Sequence, residues 1–127
     1  MTAPRFEPVP AAGGPLVQGF TADGFAVDGN VYRSVTLTPE QATAWQPPAL
    51  ADIAVADVAA LLDIEPPPEF LILGTGPRQS FPPRAFVAAL EGRGIGVEAM
   101  DSRAAARTWS LLRGEGRRIV AALMPLG

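Results

Sequence analysis

A short glycine-containing loop carries the residues best suited to chemistry. Gly74, Thr75 and Gly76 follow the apolar run 70–73, and Arg78 comes two residues later. Glycines let the backbone turn tightly and present its N–H groups, and an arginine adds positive charge, so this loop predicts a small-ligand or anion site. Open α/β sheets bind ligands where a strand leads into a helix. Asp101, at the end of the next predicted strand, stands where dinucleotide-binding folds hold a ribose.

Two departures argue against a dinucleotide site. The position of the third glycine in the fingerprint is held by Gln79. The next helix is predicted to begin near Pro82, too late for its N-terminus to reach a phosphate held by the first glycines. A sharp structural turn with Arg78 at the surface is therefore the preferred interpretation, and a small-ligand or anion site is the alternative.

A second group of polar residues follows the predicted strand 95–100. Asp101 and Ser102 lie near a helix start, where capping and the helix dipole give them a structural role. Arg107 and Thr108 come about one and a half turns later, and the rotation of the helix decides whether they reach the same edge of the sheet. The candidate ligand-binding residues are Gly74, Thr75, Gly76, Arg78, Asp101, Arg107 and Thr108.

The composition removes several classes of catalyst. The 127 residues include no Cys and no His, and every basic residue is Arg. Thiol chemistry, His-based acid–base catalysis, His- or Cys-ligated metals and Schiff-base lysines are therefore excluded. No carboxylate cluster argues for a metal, and no cofactor is predicted. The net charge of −3 gives no general affinity for nucleic acid.

The hydrophobic pattern gives the expected location. No apolar run approaches the roughly 20 residues of a membrane span. The first 15 residues lack a charged start followed by a continuous apolar stretch, so no signal peptide is expected. We expect a cytoplasmic protein with a flexible N-terminal arm over residues 1–15 and one domain over residues 16–127.

The first half of that domain predicts an antiparallel β-meander. Asp23-Gly24 and Asp28-Gly29 separate short apolar pieces, and Asp-Gly is a strong hairpin signal because glycine accepts the positive φ of a tight turn. Residues 31–37 alternate, which puts Val31 on the same face as Val35 and Leu37. A short helix is expected over residues 55–62.

The second half alternates strand, helix, strand, helix and strand. Strands are predicted at 70–73, 95–100 and 119–124; the last is apolar throughout, as in a sheet covered on both faces. The first intervening helix begins near Pro82, with Ser80 available as a cap. The second carries Ala105, Trp109 and Leu112 on one stripe. Such alternation predicts parallel neighbours and an α/β fold.

Trp45, beside two prolines, has two interpretations. It could be an exposed aromatic anchor for a protein partner, or it could plug the end of the sheet; we slightly prefer the plug. It is the candidate partner-binding residue.

The chain resembles one known family, most specifically in its C-terminal half. The residues that carry the resemblance are Leu73 to Gly76 with Arg78 and Gln79, Arg93 to Asp101, Ala104 to Leu112, and Glu115 to Leu123. The family is the small domain of unknown function shared by a mitochondrial respiratory complex I assembly factor and an adipogenesis-associated protein. The resemblance extends to the meander and Trp45.

The resemblance implies a three-layer α/β fold with a mixed central sheet and an extra β layer. It implies no established catalytic activity, and the mitochondrial relative acts by binding other proteins. The family's usual Cys, Tyr and Asn are replaced here by Ala106, Trp109 and Ser110, so a role that needs those groups is not expected.

We therefore expect a non-enzymatic binding or assembly module with a protein partner, and with no nucleic-acid partner. The alternative is a small-molecule or anion-binding protein, or an enzyme, with its site at the Gly74 to Gly76 loop. A homo-oligomer stays open, because an edge strand capped by a loop and one paired with a second copy have the same pattern.

Overall fold

The computed structural model describes residues 13–127, which form eight strands and three α-helices. The strands are β1 (Val17–Thr21), β2 (Gly24–Val27), β3 (Asn30–Tyr32), β4 (Val35–Leu37), β5 (Ala42–Ala44), β6 (Phe70–Gly74), β7 (Gly96–Met100) and β8 (Val120–Leu123). The α-helices are α1 (Ala59–Leu62), α2 (Arg84–Glu91) and α3 (Ser102–Gly114), and 3₁₀ helices cover Leu50–Asp52 and Val55–Val58.

The strands form two sheets. A five-stranded mixed sheet has the order β5-β4-β8-β6-β7, and β1, β2 and β3 form a separate three-stranded sheet. β6 is parallel to both β7 and β8, whereas β4 is antiparallel to β8 and β5. The α/β fold, the mixed central sheet and the antiparallel meander layer are confirmed.

Two hydrophobic cores lie on opposite faces of the central sheet. On one face Leu71 and Leu73 pack with Leu61 of α1 and with Phe86 and Leu90 of α2. On the other face the core joins α3 to the small sheet, and its members include Phe25, Val27, Ile72, Ala105, Trp109, Ala121 and Leu123. β8 is apolar throughout because its alternate residues enter different cores.

The prediction that residues 31–37 form one strand was wrong. β3 ends at Tyr32 in the small sheet, and β4 begins at Val35 in the central sheet, so the chain changes sheets between them. Val35 and Leu37 are buried, but Val31 is 52% exposed. The alternation was real, but the change of layer puts its first residue on a solvent-facing surface.

The capping role proposed for Ser80 was also wrong. α2 begins at Arg84 with Pro83 as its N-cap, and no side chain caps it. Ser80 lies four residues before Arg84, too far to act as the N-cap; the fixed φ of Pro83 (−56°) suits the entry to the helix but supplies no side-chain acceptor. The helix ends at Glu91, with Gly92 as its C-cap.

Residues 1–12 of the predicted arm lie outside the described residues. Residues 13–15 are held by α3: Trp109 Nε1 donates to Pro15 O (2.9 Å) and Arg113 Nη2 donates to Gly13 O (3.2 Å). These three residues therefore pack with the domain. Among residues 13–127, no helix has the length and apolar character needed to cross a bilayer.

Candidate functional site

The glycine loop lies at the carboxyl end of β6, between the end of β7 and the start of α3. Gly74, Thr75 and Gly76 are buried, whereas Arg78 and Gln79 are exposed. Gly76 has a φ of +105°, a conformation that favours glycine. The predicted position of the loop is confirmed, so what it can bind depends on its free polar groups.

Thr75 closes the loop upon itself. Its N–H donates to Met100 O at the end of β7 (2.8 Å), and its hydroxyl donates to Arg78 O (2.8 Å). The same hydroxyl accepts the Ser80 N–H (3.2 Å). The Thr75 side chain therefore organises the turn, and both donors of Thr75, its N–H and its hydroxyl, are directed to acceptors within the protein.

Ser102 is the central residue of this edge, and it has no exposed surface. Its hydroxyl accepts from Gly76 N (2.9 Å) and donates to Met124 O (2.8 Å). Its own N–H donates to Gly76 O (2.8 Å), and Met124 N donates to Gly74 O (3.0 Å). The start of α3, the loop and the chain after β8 are thus joined through one hydroxyl.

The close approach of Ser102 explains Gly74. A Cβ at residue 74 would lie 2.7 Å from Ser102 Oγ and 3.0 Å from Leu123 Cδ2. In the sequence Ser102 is recognisable only as part of a helix start, and this bridge is not. No local pattern marks it, because its partners are 22 and 26 residues away.

These bonds decide what the loop offers to a ligand. The N–H groups of Thr75 and Gly76, which the anion hypothesis required, already have acceptors inside the protein. Buried N–H groups that are paired in this way cannot also cradle an anion without breaking their bonds. The geometry matches that of a sharp structural turn.

The other candidate ligand-binding residues lie on or near α3. Asp101 caps it, since Oδ1 accepts from Ala104 N (2.9 Å). Thr108 is half-buried, and its hydroxyl is 3.5 Å from Met100 Sδ. Arg107 is exposed and lines a shallow depression of about 180 Å³ with Val17, Gln18, Gly19, Phe20 and Ala106. That depression contains no residue of the glycine loop.

Trp45 is half-buried and has one side in the protein. Its Nε1 donates to Asp57 O (3.1 Å), and the ring packs against the core that contains α1 and α2. Its other side lines a surface groove of about 490 Å³, here called the Trp45 groove. The lining residues are Val31, Tyr32, Arg33, Ser34, Ala44, Trp45, Gln46, Pro47 and Pro125.

Arg113 is a buried arginine that sequence reasoning missed. It is 1% exposed, and its guanidinium donates to Arg117 O (2.6 Å) and to Gly13 O (3.2 Å). Desolvation lowers the pKa of Arg113; nearby Glu40 raises this pKa and Arg118 lowers it. Arg113 continues the spacing of Ala105 and Trp109 by four residues, a signal that could have placed it on the buried face.

A charged cluster lies at the opposite edge of the sheet, where β6 and β8 begin. Glu69 Oε1 accepts from Arg117 Nη2 (2.8 Å) and Nε (3.1 Å), and the hydrogen bond to Arg117 holds the pKa of Glu69 below its ordinary value. Arg118 donates to Pro66 O (2.7 Å) and to Glu40 (3.3 Å). These residues bind the ends of separate strands together.

Comparisons with known proteins agree with this fold. Residues 17–124 match a family described as a protein of unknown function (DUF498/DUF598). NADH dehydrogenase (ubiquinone) 1 alpha subcomplex assembly factor 3 of Danio rerio is 32% identical over 116 residues, which are 91% of this chain and 67% of the relative. An uncharacterized protein of Rhodobacter capsulatus is 32% identical over 115 residues, which are 91% of this chain and 88% of that protein.

A solved structure gives the same result for the fold. The solution NMR structure of a Bordetella pertussis protein, described as a Mth938-like domain, superposes with a TM-score of 0.79 at 31% identity. The match covers 99% of this chain and 94% of that one. The family model spans both sheets and all three α-helices, and the chain therefore belongs to the DUF498/DUF598 family, as its resemblance predicted.

Proposed function

We propose that this chain is a non-enzymatic binding module that takes part in the assembly of a multisubunit protein complex. The observation that supports the proposal is that the polar groups at the carboxyl edge of the sheet are bonded within the protein and not free for a ligand. Open α/β sheets commonly place ligands there. In this chain the polar groups at that edge are already hydrogen-bonded within the protein, through Thr75, Gly76 and Ser102.

The relatives give the proposal its direction. The Danio rerio protein is named an assembly factor of NADH dehydrogenase, and we carry that class of role to this chain as a hypothesis. The chain spans 67% of that relative's length, so any role of the remaining third is not carried over. Without Cys, His and Lys, the chain holds few of the groups that an enzyme of this size would use.

We place the protein partner at the Trp45 groove. Its walls include Tyr32, Trp45 and Arg33, residue types that are enriched where proteins bind one another. The Nε1 bond to Asp57 O fixes the indole in place, so a partner would meet a rigid ring. A rigid aromatic loses little conformational freedom on binding.

The test is affinity purification from the native cell, together with the amount of assembled NADH dehydrogenase in a deletion strain. We expect dehydrogenase subunits to co-purify and the assembled complex to decrease without the protein. Arg33→Glu should remove the subunits, because Arg33 is exposed in the groove and the substitution reverses its charge. Arg103→Glu, an exposed arginine on α3 outside the groove, is the matched control.

Normal assembly in the deletion strain with no reproducible partner would contradict this function. Equal loss of partner with both arginine variants would reject only the Trp45 groove as the surface. A cytoplasmic location stays an expectation, and fractionation of the same cells tests it.

The anion or small-ligand site stays a prediction that a thermal-shift screen against nucleotides, phosphates and small carboxylates tests. A ligand at about 100 times its dissociation constant stabilises a protein by roughly 2.7 kcal/mol. A hit that Arg78→Ala abolishes would support the ligand site at the glycine loop. No hit would leave the binding module as the function to pursue.

A further inference from the structure

The outer face of α2 carries an exposed aromatic residue and two charges, here called the α2 face. Phe81 is 85% exposed just before the helix. It lines a groove of about 490 Å³ whose other residues are Pro82, Arg84, Val87, Ala88 and Glu91. A contiguous apolar patch at a surface, here Phe81 with Pro82, Val87 and Ala88 between two charged residues, is typical of an interaction site.

Each of the two charges on this face lies at the end of α2 where the helix dipole disfavours it. Arg84 is the first residue of α2 and Glu91 is the last. The N-terminus of a helix favours negative charge and the C-terminus favours positive charge, so both residues stand at the end that disfavours them. This placement slightly destabilises the helix of a single copy, and opposite charges supplied by a partner would offset that cost.

The same arrangement is self-complementary. At 100° per residue, Arg84, Val87, Ala88 and Glu91 form one stripe opposite the buried Phe86 and Leu90. An antiparallel copy of the helix, related by a two-fold axis between Val87 and Ala88, brings each Arg84 against Glu91 of the other copy. Val87, which is half-buried and also packs against the core of its own chain, then has its exposed part against Ala88, a small residue that allows the helices to approach closely. Isologous dimers require this kind of symmetric pairing.

Phe81 fits the same geometry. It precedes the helix N-terminus, so in an antiparallel pair it lies beside the C-terminal end of the second helix. Gly92 and Gly94 are exposed there, and a Cβ at Gly94 would meet no atom within 4 Å. The absence of side chains leaves room for an aromatic ring.

We propose that the α2 face is the interface of a two-fold symmetric homodimer. Arg84 of each copy pairs with Glu91 of the other, and Phe81 of each copy packs over the turn at Gly92 and Gly94 of the other. The proposal does not depend on the assembly role or on the Trp45 groove. It uses only residues outside that groove, so each can fail without the other.

Charge reversal tests the pairing, with sedimentation velocity over a concentration series as the measurement. Arg84→Glu and Glu91→Arg should each raise the dimer dissociation constant about 100-fold or more, because like charges then meet at both symmetric contacts. The double variant Arg84→Glu/Glu91→Arg restores opposite charges and should dimerise again. Phe81→Ser should also weaken the dimer, whereas Leu111→Ser, at an exposed leucine on α3, should leave it unchanged.

Three results would overturn the homodimer. They are a wild-type protein that stays monomeric at every concentration, a double variant that does not recover dimerisation, and a Phe81→Ser variant that dimerises normally. A monomer whose Phe81→Ser variant loses another protein in co-purification would give this face to that protein and reject the second copy. Circular dichroism of each variant confirms that loss of the dimer is not loss of the fold.

Discussion

Replacement of Ser102 by alanine removes the hydroxyl that joins α3, the glycine loop and the chain after β8. The substitution leaves the Gly76 N–H without its acceptor at 2.9 Å and Met124 O without its donor at 2.8 Å. Both groups belong to buried residues, so water does not replace the lost partner at low cost. An unpaired buried N–H costs about 1–3 kcal/mol, and the carbonyl adds on the order of 1 kcal/mol.

We therefore expect Ser102→Ala to lower the free energy of unfolding by roughly 2–4 kcal/mol. For a domain of this size that corresponds to a fall in Tm on the order of 6–20 °C. Urea unfolding followed by tryptophan fluorescence measures the change, since Trp109 is fully buried in the native state.

Ser80→Ala is the matched control for this measurement. It keeps the Ser80 N–H that donates to Thr75, so its effect should stay within about 0.5 kcal/mol. A Ser102→Ala variant as stable as this control would refute the interpretation. It would mean that the Gly76 N–H does not depend on Ser102 and is available to a ligand.

Three further predictions follow from single contacts. Gly74→Ala should lower the free energy of unfolding by about 1–3 kcal/mol, because its Cβ would lie 2.7 Å from Ser102 Oγ. The loss should be smaller in a Ser102→Ala background, and additive losses in a double-mutant cycle would contradict this. Glu69 has a pKa lowered from 4.5, chiefly by its hydrogen bond to Arg117, so it contributes stability above pH 4.5 that is lost as the pH falls through the lowered folded-state pKa. Unfolding measured from neutral to acidic pH should therefore show Glu69→Gln less stable than wild type only at the higher pH, and a difference independent of pH would reject the ion pair. Trp45→Phe should lower the free energy of unfolding by about 0.5–1.5 kcal/mol, because it removes the Nε1 bond to Asp57 O. Trp109→Phe should lower it more, because that site is fully buried, and the reverse order in chemical denaturation would be inconsistent with the two environments.

Much of the fold could be predicted because its signals are local. The apolar run at 70–73, the prolines before α2 and the capping Asp101 each act within a few residues of the element they define. Alternation of strands with helices then leaves few arrangements of the sheet. The stripe of Ala105 and Trp109 correctly predicted which face of α3 enters the core.

The candidate site could be located but not interpreted from the sequence. The position of Gly74 to Gly76 after a buried strand was correct, but the loop's chemistry depends on a hydroxyl 26 residues further along the chain from Gly76. The register of β6 against β7 and β8 and the rotation of α3 bring Ser102 to that point. Neither quantity has a signature in a local pattern.

Composition and short-range spacing were therefore enough to predict the strands and helices of the second half, the α/β class, the family and the absence of thiol, imidazole and lysine chemistry. Three features needed the folded chain: the change of sheet between Tyr32 and Val35, the burial of Arg113 and the closing of the glycine loop by Ser102. Each of these depends on which distant segments meet, and packing of the two cores against the central sheet settles that for the whole chain at once.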